Sequence, residues 1–112
     1  MSEQGTSEQG NVVGPIQSRL RLGPGLAEKD RAEIVTALSS LNRHLEHWKT
    51  EQVDLRLSVR DRGALDQRVC LEVWLPGRHT VLAHVTDRDL TRALVELRKV
   101  ATRELEDEFH RR

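Results

Sequence analysis

Gln52-Val53-Asp54-Leu55-Arg56-Leu57-Ser58-Val59-Arg60 and Arg68-Val69-Cys70-Leu71-Glu72-Val73-Trp74-Leu75 decide the fold. Every second residue is aliphatic: Val53, Leu55, Leu57 and Val59 in the first stretch, Val69, Leu71, Val73 and Leu75 in the second. A period of two places those side chains on one face of an extended strand and the residues between them on the other. Both stretches are therefore predicted strands with one face on a core and one in water. The link between them, Asp61-Arg62-Gly63-Ala64-Leu65-Asp66, is polar and carries one glycine, which suits a hairpin. Pro76-Gly77 supplies a turn pair, proline presetting the first central position and glycine tolerating a positive φ at the second, so Thr80 to Val85 is a predicted third strand.

On the N-terminal side, Ile16, Leu20 and Leu22 alternate with Gln17, Arg19 and Arg21, and Pro15 to Leu22 is read as a half-buried strand. Gly23-Pro24-Gly25 breaks the chain. A helix follows, with Glu28 and Asp30 in its first turns, where carboxylates suit the positive end of the helix dipole. Its apolar stripe, Ile34, Leu38, Leu41, Leu45 and Trp48, runs at spacings of four, three, four and three through five turns. On the C-terminal side, Thr86 to Arg112 reads as one long amphipathic helix opened by a capping-box variant of Thr86 and Asp89. Its inner arc holds Leu90, Leu94, Leu97, Ala101 and Leu105. Residues 1–14, which include Ser2-Glu3-Gln4-Gly5 repeated as Ser7-Glu8-Gln9-Gly10, have little to bury and are expected to form a disordered tail. Residues 15–112 form the predicted domain. The order is strand, helix, three strands, helix. This is an α+β fold, β-α-β-β-β-α, with a four-stranded sheet and both helices on one face; the crossover makes the first two strands parallel neighbours.

The chain has 112 residues, enough for one modest core, and its 32% of charged residues imply a heavily ionic surface. Eighteen basic residues balance eighteen acidic ones, so any basic function must come from how charge is arranged. The lone Cys70 permits no internal disulfide. No apolar run reaches a membrane span, and the N-terminus lacks the pattern of a signal peptide, so a cytoplasmic protein with no membrane partner is expected.

Catalysis finds little to use. No histidine accompanies a serine or cysteine in a nucleophile setting, and no enzyme, cofactor or small-molecule substrate is expected. His44 and His47 are three apart but lack a second ligand pair, and no metal site is expected. Gly23-Pro24-Gly25 lacks the lysine of a phosphate loop and is read as a plain turn. Reading RNA bases on the open sheet face would need two or three exposed aromatics, and only Trp74 is predicted there.

Cation arrangement remains. Arg88, Arg92, Lys99 and Arg103 cluster on the outer side of the last helix, and Lys29, Arg43 and His47 share an arc of the first, away from its apolar stripe. With the helices side by side, these seven residues form one candidate RNA-binding surface. Fifteen of the eighteen basic residues are arginine, whose planar fork suits phosphate. The same pattern serves plain solvation of a surface helix.

The order of elements carries a family resemblance, as do Leu41-Asn42-Arg43-His44-Leu45-Glu46-His47-Trp48, Val53-Asp54-Leu55-Arg56-Leu57 and above all Ala83-His84-Val85-Thr86-Asp87-Arg88-Asp89-Leu90-Thr91-Arg92-Ala93-Leu94. Over about Ile16 to Leu105 the chain resembles the ribosome hibernation factors, the family of hibernation-promoting factor and ribosome-associated inhibitor A. Asp89 and Ala93-Leu94 fill the places where members have an aspartate and an Ala-Ile step. The resemblance implies a translation regulator whose partners are the small ribosomal subunit and its ribosomal RNA, seated in the channel for messenger and transfer RNA, monomeric off the ribosome and of the family's short form. By position it puts Arg103 and Arg43 among the family's basic residues. Val100 stands where members carry a lysine, with Lys99 beside it, and Glu104, Glu106, Asp107 and Glu108 make the helix end acidic where relatives are basic. Two other functions are kept open: a stress-related protein-binding regulator that retained the fold without ribosome affinity, and a double-stranded RNA-binding module.

Overall fold

The computed structural model describes residues 14–110. The tail expected over residues 1–14 lies outside these, Gly14 excepted. The elements are α1 (Pro15–Ser18), β1 (Leu20–Leu22), α2 (Arg31–Leu38), β2 (Asp54–Arg60), β3 (Arg68–Trp74), β4 (Val81–Thr86) and α3 (Leu90–Phe109), with 3₁₀ turns at Glu28–Asp30, Ser39–Leu45 and Thr50–Gln52. The sheet order is β1-β2-β3-β4, with β1 parallel to β2 and the other pairs antiparallel. The predicted α+β fold and its parallel pair are what the molecule has.

Alternation in β2 and β3 sets the register. Leu55 opposes Val73, Leu57 opposes Leu71 and Val59 opposes Val69, all six buried, while Arg56, Ser58, Arg60, Arg68, Cys70, Glu72 and Trp74 face away. Both longer helices cover the buried side. Ile34, Leu38, Leu41 and Leu45 from the α2 region and Leu94, Leu97, Ala101 and Leu105 from α3 meet those aliphatics in one core, and the Thr91 hydroxyl donates to Glu33 between the helices.

Three predicted elements differ in form. Pro15–Ser18 is a helical turn, and only Leu20–Leu22 enter the sheet. Proline presets the helical φ, and acceptors wait for the turn's free donors: Gly14 N–H donates to Gln17 Oε1 at 3.0 Å and Ile16 N–H to Asn42 Oδ1 at 3.0 Å. Ile16 is fully buried, but from a helix. The five-turn helix is α-helical only to Leu38 and then tightens to 3₁₀ through Leu45. Ser39 competes there for a backbone bond, its Oγ donating to Thr36 O at 3.4 Å, and Asn42 turns its side chain to Ile16 and Gln17. Leu41 and Leu45 are buried all the same. Finally, Thr86 ends β4 instead of capping α3; Asp89 is the cap, its carboxylate accepting the Arg92 N–H at 3.0 Å.

Gly23-Pro24-Gly25 does more than turn. Gly23 N–H donates to Leu57 O at 2.7 Å and Pro24 O accepts the Val59 N–H at 2.9 Å, so the β1 ladder runs on past Leu22.

Candidate nucleic-acid interface

The corner between β4 and α3 positions the first candidate cations. Gln67, buried at the foot of β3, receives the Gly63 N–H on Oε1 and gives its Nε2–H to Asp87 O, both at 2.9 Å, while Asp87 N–H returns to Gln67 O. The corner is thus fixed by a side chain whose own polar atoms are satisfied. The Asp87 carboxylate in turn accepts Arg92 Nε at 2.7 Å, Arg92 Nη2 at 2.8 Å and the Asp89 N–H at 2.9 Å. Those bonds hold its carboxyl down at about 2 instead of 3.8, Arg92 contributing most and the backbone N–H next. Arg92 is consequently engaged by an acid five residues before it, and its own pKa is raised by that hydrogen bond.

Lys99 Nζ lies 3.5 Å from Glu96 on the same exposed face. At 100° per residue Glu96 falls about 40° from Arg92 and about 20° from Arg103, so acid stands on the same arc as the basic row. Among the described residues, Arg88 and Arg103 are exposed and form no ion pair. At the helix end Glu104, Glu106 and Asp107 are exposed, whereas Glu108 is buried, its carboxylate accepting the His79 N–H at 3.1 Å. The acidic end is one carboxylate less exposed than the sequence suggested.

The first helix presents its candidates differently. Lys29 sits in the 3₁₀ turn before α2, Arg43 in the 3₁₀ segment after it, and His47 beyond that, so the α-helical wheel that grouped them does not describe them. Arg43 is exposed on the rim of a shallow depression of about 410 Å³ shared with Gln17, Ser39, Asn42 and Glu46. His47 joins an aromatic cluster, its ring 5.0 Å from Phe109 and 6.1 Å from Trp48, which itself stacks on Phe109 at 5.5 Å. Of the seven residues, then, Lys29, Arg43, Arg88 and Arg103 are exposed cations without an ion pair among the described residues, Arg92 and Lys99 are paired, and His47 is turned toward aromatics.

Sequence reasoning missed the polar positioning groups. Asp30 accepts Arg62 Nη1 at 2.8 Å and Nη2 at 3.0 Å together with the Ala27 N–H at 2.8 Å, which holds its carboxyl at about 2 and pins the hairpin loop to the start of α2. Partners 32 residues apart leave no local signal. The open sheet face was legible but undervalued, for its arginines are the alternate residues of the strand pattern itself.

No family model matches the chain, and no curated protein matches it. A solved fold does. The chain is similar to the N-terminal domain of Thermus thermophilus Protein Y, with a TM-score of 0.56 and 18% identity, covering 80% of this chain and 96% of that one. The two share an architecture at a level of identity where sequence alone carries little. Among the described residues no three potential metal ligands come together, and no helix is long and apolar enough to cross a membrane.

Proposed function

We propose that this chain is a ribosome-associated regulator of the hibernation-factor type, non-enzymatic and cytoplasmic, that docks on the RNA of the small subunit in the messenger and transfer RNA channel through exposed cations on its helix side. The observation that carries the reading is the fold match to the Protein Y N-terminal domain over four fifths of the chain, because Protein Y belongs to the hibernation-factor family that the chain's own motifs resemble. Arg43, Arg88 and Arg103 are the first contacts of this docking, with Lys29 in support: their guanidinium groups are free for bidentate bonds to phosphate. Arg92 holds the β4–α3 corner that presents Arg88, and Lys99 engages only by leaving Glu96. His47 has a packing role beside Trp48 and Phe109.

A second reading, a protein-binding regulator that kept the fold, draws on the acids interleaved along α3. Co-sedimentation of the purified protein with isolated small ribosomal subunits separates the two. The first reading expects binding at low salt that fades steeply as salt rises; the second expects none at any salt.

A further inference from the structure

The sheet face turned away from the helices carries cations that the docking above does not use. In register across it, Arg21 neighbours Arg56 on the adjacent parallel strand, and Arg60 directly opposes Arg68 on the antiparallel one. Like charges placed opposite each other destabilise a sheet. Two such pairs occupy one open face, separated by the four-residue step from Arg56 to Arg60, roughly 13 Å of extended chain. The nearby acids offset these cations only in part. Glu72 is 3.5 Å from Arg56, and Asp54 belongs to Arg19 at 2.9 Å. Asp61 and Asp66 share a notch with Arg60, Arg68 and Thr86, but among the described residues Arg21, Arg60 and Arg68 form no ion pair. Between the pairs lies a shallow cleft of about 320 Å³ floored by Ser58, Cys70 and His84.

We propose that this open face binds a single strand of nucleic acid by its phosphates, independently of the helix side. A lone phosphate could serve one arginine pair; a polymer carrying many phosphates serves both. A protein partner would need apolar or aromatic anchors at the centre of its interface. Here the centre is serine, cysteine and histidine; the aromatic at the margin, Trp74, is covered by the Arg21 guanidinium 5.7 Å from its ring, and the exposed Leu82 stands alone on the edge strand β4 among the described residues of this face. With no free stacking platform the face grips backbone and tolerates any base sequence. Because the helices lie on the other side of the sheet, a subunit docked there leaves this face open to a second strand.

The test is fluorescence anisotropy of a labelled polyuridine 20-mer against the full chain over a range of salt. Wild type should bind at low salt, and Arg60→Ala/Arg68→Ala should weaken it about tenfold while lowering the log-log salt slope by about 0.7 for each arginine removed. Removing the opposed charges should leave the melting temperature unchanged or higher, so the loss cannot come from unfolding. Glu72→Gln should tighten binding severalfold. Arg88→Ala/Arg103→Ala should weaken it clearly less than the sheet-face variant does, whereas for small-subunit docking the order reverses, which keeps a failure here distinct from a failure of ribosome docking. The proposal is overturned by no binding at low salt, by equal losses from the helix-side variant, or by equal affinity for a polyglutamate 20-mer, which would point to an acidic protein instead.

Discussion

Asp30 and Asp87 do at the residue scale what no hydrophobic pattern can. Each gathers an arginine and a backbone N–H, and each has its carboxyl held at about 2 in the fold, against 3.8 when free. A carboxylate with a depressed folded pKa adds stability that is complete above the free value and is lost as pH falls through the folded one. Stability should therefore climb between about pH 2 and pH 4, and Asp30→Asn should flatten that climb. Urea midpoints measured across this window check it; an unchanged pH profile in the variant would mean that the Arg62 pair does not persist in solution. Gly25 sets a second residue-scale constraint. Its φ is +87°, and an added Cβ would lie 2.1 Å from Val59 O. Gly25→Ala combines an unfavourable left-handed conformation, about 1–2 kcal/mol, with a backbone clash, so a clear drop in melting temperature is expected, and a variant as stable as wild type would contradict the geometry of this turn.

Elements were legible where burial follows a simple period. β2, β3, β4 and α3 keep one residue type on one side for six residues or more, and their cores fall where the alternation and the helical arc put them. Legibility failed where two geometries bury the same residues. Leu38, Leu41 and Leu45 reach the core equally well from an α-helix or from a 3₁₀ segment, so their spacing could not reveal the change at Ser39. Ile16 and Leu20 are four apart, a helical interval, yet Leu22 two residues on completed an apparent strand; Asn42, remote in sequence, decides the matter by accepting the Ile16 N–H. For the candidate site, the wheel located Arg92 and Lys99 on the exposed side but could not foresee their pairing with Asp87 and Glu96, which depends on side-chain reach as much as on angle. At this scale Leu71→Ala in β3 or Leu97→Ala in α3 should each cost about 2–5 kcal/mol, from lost transfer energy and a residual cavity. Chemical denaturation gives the figure, and wild-type stability in either variant would reverse the assignment of faces.

The whole molecule sorts charge in a way that its zero net charge conceals. Glu96, Glu104, Glu106 and Asp107 lie exposed along α3 among its cations, while the opposite sheet face holds Arg21, Arg56, Arg60 and Arg68 against Glu72, with Asp61 and Asp66 at its end. Docking by the helix side must therefore come from a few well-placed arginines, since no broad positive field exists there. Such binding has a measurable signature, because each phosphate contact releases condensed counterions. The direct measurement is co-sedimentation with small ribosomal subunits over a series of salt concentrations, comparing wild type, Arg88→Ala/Arg103→Ala and Arg60→Ala/Arg68→Ala. The account predicts binding at low salt, a helix-side variant that binds more weakly with a log-log slope reduced by about 0.7–0.9 per arginine, and a smaller loss from the sheet-face variant. Absence of wild-type protein from the subunit fraction at the lowest salt, or a helix-side variant indistinguishable from wild type, would contradict it.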